Sequence, residues 1–380
     1  MSFLKRLLSI DWLLFAALVP IVGAGLITMY SFAGDNYFAS RQIIWALIGI
    51  IVFFLASTVD WRFLRSSKIL LILYFLGIVL LGLLFFTARI KGAQSWFNTG
   101  LFAIQPTDLI KLVLISLLAK FLSKRHVEIR HFRHIIISAI YAVVPFVFIL
   151  LQPDFGSALI IFCIWMGMIM VSGVSKKHLG IVVGSGVLAF LVLWLFVFAP
   201  YQKARIVSFL DPAADLKGSG YNAFQSMVAV GSGQILGKGI GHGTQSRLAF
   251  LPEYQTDFIF AAYAEEWGLV GVLILFLLYA LLMWRVLKAA LTGATNFEIY
   301  FGVGVAIMLM GHFVINIGMN MGLLPVTGLT LPFMSYGGSH LIVEFLALGI
   351  LMGMRRYSYG IHKEDTTREF MGMERTPELL

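Results

Sequence analysis

Residues 69–88 read ILLILYFLGIVLLGLLFFTA, twenty positions without one charged side chain. About 20 apolar residues are what a helix needs to cross roughly 30 Å of hydrocarbon, so this stretch predicts a membrane span. Working outward, nine further apolar runs of comparable character occupy 11–32, 42–58, 108–122, 135–151, 157–173, 179–199, 258–284, 300–323 and 339–354, separated by charged or Gly/Pro-rich breaks. The expected fold class is an all-α polytopic membrane protein with ten transmembrane helices. The composition agrees: 59% of the 380 residues are hydrophobic and 12% are charged, against roughly a quarter charged in a soluble domain. A water-exposed globule is excluded. The first run lacks a small-residue cleavage site and is read as an anchor. The lone Cys163, inside an apolar run, excludes a disulfide framework within the chain.

The surplus of positive charge is a topology signal. Of 28 Lys and Arg, nineteen fall on one side of the ten-span arrangement and eight on the other, with Lys111 inside a span. Cytoplasmic loops carry such an excess, so both termini are expected in the cytoplasm, and nucleic-acid binding loses its main support. The expected organisation is a transmembrane domain over 1–358, with an extracytoplasmic loop at 200–257 between helices 7 and 8, and a cytoplasmic tail over 359–380. Within the loop, 221–230 reads as a short helix lying on the membrane surface.

Ionisable groups in or beside spans cost a few kcal/mol and point to function. In Gln105-Pro106-Thr107-Asp108-Leu109-Ile110-Lys111, Pro106 and Thr107 are helix-start chemistry, and Asp108 and Lys111 stand three apart on one face. The pair reads either as an intramembrane ion pair or as a cation, Lys111, for an anionic ligand. Asp257, in Thr256-Asp257-Phe258, stands where the long loop re-enters the bilayer, placed either to cap the helix or to accept a proton. Asp154 follows Pro153 at another helix start and reads first as a cap. Of Glu265 and Glu266, one is expected to pair with a neighbouring helix, and His312 and Glu344 are possible cross-helix partners. Gly237-Lys238-Gly239-Ile240-Gly241-His242-Gly243 looks like a phosphate-binding loop, but no Ser or Thr follows Lys238 and no strand precedes it, so a Gly hinge is expected. Leu324-Pro325-Val326-Thr327-Gly328 matches a sortase signal and is read as chance.

Taken together, Gly92-Ala93-Gln94-Ser95-Trp96, Gln105-Pro106-Thr107-Asp108 with Lys111, Gln152-Pro153-Asp154-Phe155-Gly156, Pro200-Tyr201-Gln202 with Arg205, Leu251-Pro252-Glu253 with Thr256-Asp257-Phe258, and Gly322–Gly328 with Ser335-Tyr336-Gly337-Gly338-Ser339 resemble the SEDS family of RodA, FtsW and SpoVE. The short termini look most like its RodA, or elongation, branch. The resemblance implies a peptidoglycan glycosyltransferase of the bacterial cytoplasmic membrane that polymerises lipid II on the outer face. It implies partnership with a class B penicillin-binding protein and other elongation-complex proteins. It makes Asp257 the catalytic residue and places Trp96, Asp108, Lys111, Asp154, Gln202 and Arg205 in or near the substrate cavity. Three positions depart from the family pattern: Ser95 where Arg is frequent, Asp108 where Glu is usual, and Gln255 where His is common.

A lipid diphosphate at the anomeric carbon is an activated leaving group, which agrees with the missing nucleotide loop. The mechanism expected is Asp257 as general base on the acceptor GlcNAc 4-hydroxyl, passing through an oxocarbenium-like state. Lys111 and Arg205 would stabilise the diphosphate, with a divalent cation (Mg or Mn) left open as cofactor. Trp96 offers either a stacking face or an interfacial anchor. A lipid II flippase and a cell-wall scaffold are the competing classes, and only the enzyme predicts glycan chains that vanish with Asp257.

Overall fold

The computed structural model describes residues 11–31, 37–87, 94–98, 103–124, 132–197, 200–211, 219–248 and 250–370. The helices are α1 (Trp12–Tyr30), α2 (Tyr37–Thr58), α3 (Ser67–Leu83), α4 (Pro106–Ser123), α5 (Phe132–Leu151), α6 (Phe155–Val171), α7 (Lys176–Val192), α8 (Pro200–Leu210), α9 (Ser219–Ser232), α10 (Thr244–Arg247), α11 (Ile259–Leu291), α12 (Asn296–Asn320) and α13 (Gly338–Phe370). A two-residue antiparallel hairpin, Phe97–Asn98 with Ala103–Ile104, is the one departure from an all-helical chain among the described residues. The helix expected over 221–230 is present as α9.

Seven helices are long and apolar enough to cross a membrane: α1, α2, α3 continued to Phe86, α5 from Arg133, α11, α12, and α13 as far as Arg356. The other three predicted spans fall on α4, α6 and α7. Of these, α4 carries Asp108, Lys111 and Lys120, and α6 and α7 have 17 residues each. The character of α4 follows from its place. It is buried on nearly every face, packed among α3, α5, α6 and α12, so its polar side chains face protein and not lipid. Lipid cannot satisfy a backbone donor or acceptor, and the starts of these helices show how the sequence meets that demand. Asp11 accepts from Leu14 N at the start of α1, Pro106 fills the first position of α4, and Asp154 accepts from Ser157 N at the start of α6.

Close helix approach relies on small residues, as expected in lipid. Gly349 of α13 lies so near α2 that a Cβ there would stand 2.7 Å from the Phe53 carbonyl oxygen. At the end opposite the cavity described below, Asp11 takes ion pairs from Arg285 and Arg355, and Arg65 pairs with Glu298 at 2.5 Å. These contacts tie α1, α11 and α13 together, and the α2–α3 connection to α12.

The span predicted as 258–284 differs from what is observed. α11 starts at Ile259, runs to Leu291 and is broken at Gly268, whose φ of 62° is left-handed. The groups freed by the break are satisfied by the loop after α9. Leu269 N and Val270 N donate to the carbonyls of Gln234 and Ile235 at 2.9 and 3.1 Å, while Lys238 N and Gly239 N donate to those of Glu265 and Glu266, each at 3.0 Å. A Cβ at 268 would lie 2.2 Å from Gly237 N. Gly268→Ala is therefore expected to destabilise the protein by about 1–3 kcal/mol from backbone strain alone. The check is its thermal unfolding in detergent beside Gly180→Ala, a helical position with open space around it.

Candidate active site

The starts of α2, α4, α6 and α13 converge with the hairpin, the segment 251–257 and the segment 324–337 around one cavity of about 530 Å³. Five of the seven predicted residues line it: Trp96, Asp108, Lys111, Asp154 and Asp257. Gln202 is half-buried on α8 and is not among the lining residues, and Arg205 lies on the same helix with its side chain outside the described residues.

Asp257 is positioned through its main chain. Glu253 adopts a left-handed φ of 52°, so that its carbonyl accepts from Thr256 N, Asp257 N and Phe258 N at 3.1, 3.1 and 3.2 Å. The N-cap of α11 falls on Phe258, so the carboxylate of Asp257 is not used in capping. The Asp257 carbonyl accepts from Asn316 Nδ2 at 2.9 Å and Asn320 Nδ2 at 3.0 Å, two side chains one turn apart on α12. Asn316 also donates to the Leu329 carbonyl at 2.7 Å, and Asn320 Oδ1 accepts from Ala261 N at 3.2 Å. From the other side, Ser335 Oγ donates to the Thr256 carbonyl at 2.6 Å and Tyr336 N to that of Gln255 at 2.8 Å. The carboxylate itself lies against Gly328, where a Cβ would stand 3.5 Å from Asp257 Oδ2.

Asp108 and Lys111 satisfy both sequence readings: they form an ion pair at 3.0 Å, each only 2% exposed, and both line the cavity. Lys111 Nζ is also 3.3 Å from His312 Nε2. Asp154 is the predicted cap, and its second oxygen accepts from Gln105 Nε2 at 3.3 Å. His312 and Glu344 are not direct partners. His340 stands between them, its ring 4.7 Å from that of His312 and its Nε2 2.9 Å from Glu344 Oε1. His340, Arg41 and Glu253 are lining residues that the motifs did not mark. The first carried a readable signal, an ionisable pair four apart on a span, His340 and Glu344.

Two other motifs resolve differently. The Gly-rich loop is filled by the protein's own carboxylates. Glu265, fully buried, accepts from Lys238 Nζ at 2.7 Å and Thr244 N at 2.8 Å, and Glu266 from Ser31 Oγ at 2.5 Å and Gly241 N at 3.0 Å. Both glutamates are therefore engaged, not one. Thr327 and Gly328 of the sortase-like stretch line the cavity, Thr327 being 6% exposed. Among the described residues no three His, Cys, Asp or Glu side chains form a group that could hold a metal ion.

A polytopic helical membrane protein with a polar cavity at one end of the bundle is the class these features define. The family model for cell cycle proteins of the FtsW, RodA and SpoVE type matches residues 5–360. The chain belongs to that family. It is 38% identical over 364 residues to stage V sporulation protein E of Bacillus subtilis, covering 92% of this chain and 98% of that protein. It is 40% identical over 273 residues to peptidoglycan glycosyltransferase MrdB of Escherichia coli K12, covering 72% and 73%. Among solved structures, a chain of a peptidoglycan synthase complex that coordinates polymerization and crosslinking superposes with a TM-score of 0.78 at 34% identity, covering 92% of this chain and 98% of that one. The crystal structure of the rod shape determining protein RodA of Thermus thermophilus gives 0.69 at 31%, covering 92% and 97%.

Because Asn320 serves the Asp257 carbonyl and Ala261 N together, Asn320→Ala is expected to cost about 1–3 kcal/mol through the buried groups it orphans. Faster amide exchange in the peptide 251–258 than in wild type is the accompanying sign. Unchanged protection there would show that the asparagine does not hold the segment.

Proposed function

We propose that the chain is a peptidoglycan glycosyltransferase that polymerises lipid II at the outer face of the bacterial cytoplasmic membrane during elongation. The observation that carries the reading is the convergence of Asp257, Lys111, Asp108, Asp154 and Trp96 on one cavity, in a chain whose curated relatives include peptidoglycan glycosyltransferases. The volume lies within the range of sites that enclose a small-molecule headgroup. The elongation branch is supported by the likeness to MrdB and RodA.

In this reading the ten predicted spans cross the bilayer with both termini in the cytoplasm, so that every segment lining the cavity belongs to the outer side. The lipid II diphosphate leaves the donor's anomeric carbon, and the acceptor GlcNAc 4-hydroxyl attacks from the opposite face. Asp257 takes the hydroxyl proton. It is suited to the role because two asparagines and Glu253 fix its backbone while its side chain stays on the cavity wall. Lys111 supplies positive charge to the departing diphosphate, with Arg205 from α8 and Arg41 from the cavity wall as further cations. The described carboxylates do not assemble a metal site, and no step is routed through one. Trp96 on the cavity wall favours a stacking role over an interfacial anchor. A class B penicillin-binding protein is the expected partner, a pairing supported by likeness to a chain of a peptidoglycan synthase complex.

Purified with its partner and given lipid II, wild-type protein should make glycan strands, and Asp257→Asn should reduce synthesis by about 10²–10⁴-fold while melting normally. Near-wild-type synthesis by that variant would remove the base assignment. Lys111→Met should lower donor use on the order of 10- to 100-fold, as loss of a charge-assisted contact does, with partner co-purification retained. Unchanged lipid II turnover would rule out its role at the diphosphate.

A further inference from the structure

His340 on α13 is buried with both ring nitrogens facing carboxylates: Nδ1 lies 3.1 Å from Asp108 Oδ1, and Nε2 lies 2.9 Å from Glu344 Oε1. An ionised carboxylate only accepts hydrogen bonds. A neutral imidazole would therefore present a lone pair to one of these oxygens in a buried site, so the Asp108–His340–Glu344 array must hold one proton more than two carboxylates and a neutral ring. Lys111, 3.0 Å from the same Asp108 oxygen, keeps that proton off Asp108. On the other flank, His312 Nε2 meets the Lys111 ammonium at 3.3 Å and must offer its lone pair, leaving its proton on Nδ1 toward the Thr330 carbonyl at 3.4 Å. Glu344 Oε2 accepts from Phe333 N at 2.9 Å, and Tyr279 of α11, the remaining titratable neighbour of Glu344, donates to the Pro332 carbonyl.

We infer that His340 is an imidazolium clamped between Asp108 and Glu344, and that it acts as a positioning residue for an anionic group in the cavity by neutralising carboxylate charge that would otherwise consume Lys111. With the imidazolium in place, the two carboxylates balance two cations. Without it, Lys111 alone faces both, and the wall that a diphosphate must approach carries net negative charge. An ammonium has three N–H bonds; Asp108 and His312 take two, and the third is available to a ligand only while Asp108 has a second cationic partner. The inference rests on the glycosyltransferase reading for its ligand, but the protonation state does not depend on it.

The experiment uses the full-length protein in nanodiscs with its partner, and lipid II as probe. In nitrogen-15 spectra of the histidine rings, the signal removed by His340→Gln should report both ring nitrogens protonated at about pH 8.5, well above the ordinary histidine range. Glu344→Gln keeps an acceptor for Phe333 N but removes one of the two charges, so that signal should become neutral at the same pH. Kinetically, His340→Gln should raise the KM for lipid II about tenfold or more at every pH. The activity of Glu344→Gln relative to wild type should fall between about pH 6 and 8 as the ring deprotonates. A purely structural role for Glu344 would give a pH-independent deficit. A neutral His340 signal in wild type, or a flat Glu344→Gln ratio, overturns the inference. Wild-type protein that binds its partner yet makes no glycan overturns the functional reading instead, and the ring spectra then decide the protonation state alone.

Discussion

Two amide side chains on α12, Asn316 and Asn320, hold the chain where it ceases to be regular. Each donates to the Asp257 carbonyl, and between them they also reach Leu329, Ala261 and Ser226. The constraint behind this is that no water in a bilayer core can satisfy a stray backbone group. A membrane protein that needs non-helical backbone around a polar cavity must supply the partners from neighbouring side chains. The same solution recurs at Glu265 and Glu266 under the 233–245 loop, and at Glu344 under Phe333. The catalytic segment is therefore irregular without being loose.

That constraint explains what could be read from the chain alone. The helices are legible because each must be apolar over its own length, and the starts of α4 and α6 because Pro106 and Asp154 act locally. The break at Gly268 was not legible, since its freed donors are served by residues some thirty positions upstream, and nothing in Trp267-Gly268-Leu269 announces them. For the same reason the Gly-rich loop resembled a phosphate cradle: its spacing shows donors but not that Glu265 and Glu266 already occupy them. His340 escaped notice because its meaning depends on Asp108, 232 positions away, and not on any motif. Asp257 was ambiguous between cap and base until the structure put the N-cap at Phe258.

The electrostatics of the cavity follow from burial. Asp108 and Lys111 are withdrawn from water almost completely, and a buried charge is tolerated only when paired and hydrogen-bonded. Truncating one partner of such a pair strands the other. Charges so constrained are also preorganised: they need not reorient when a ligand's charge develops, which is where fixed dipoles and ions contribute most to lowering a barrier.

The same fixity bears on the choice between an enzyme and a lipid carrier. A carrier must open its site to the two faces of the membrane in turn, and transporters do so by rocking one repeat against another around a midplane site built on broken helices. This chain does contain a broken helix, α11, but its break is closed by hydrogen bonds to the 234–239 loop and does not line the cavity. The cavity lies at helix starts, and its irregular segments are fastened to α12 and α13 by Asn316, Asn320 and Glu344. At the opposite end, Asp11 binds α1 to both α11 and α13 through Arg285 and Arg355. Opening an inward path would require breaking these buried charge contacts, each costing several kcal/mol when a partner is lost, with no cofactor or gradient needed by an enzyme whose donor is already activated. A cavity fixed in one orientation is what chemistry on a membrane-anchored substrate requires.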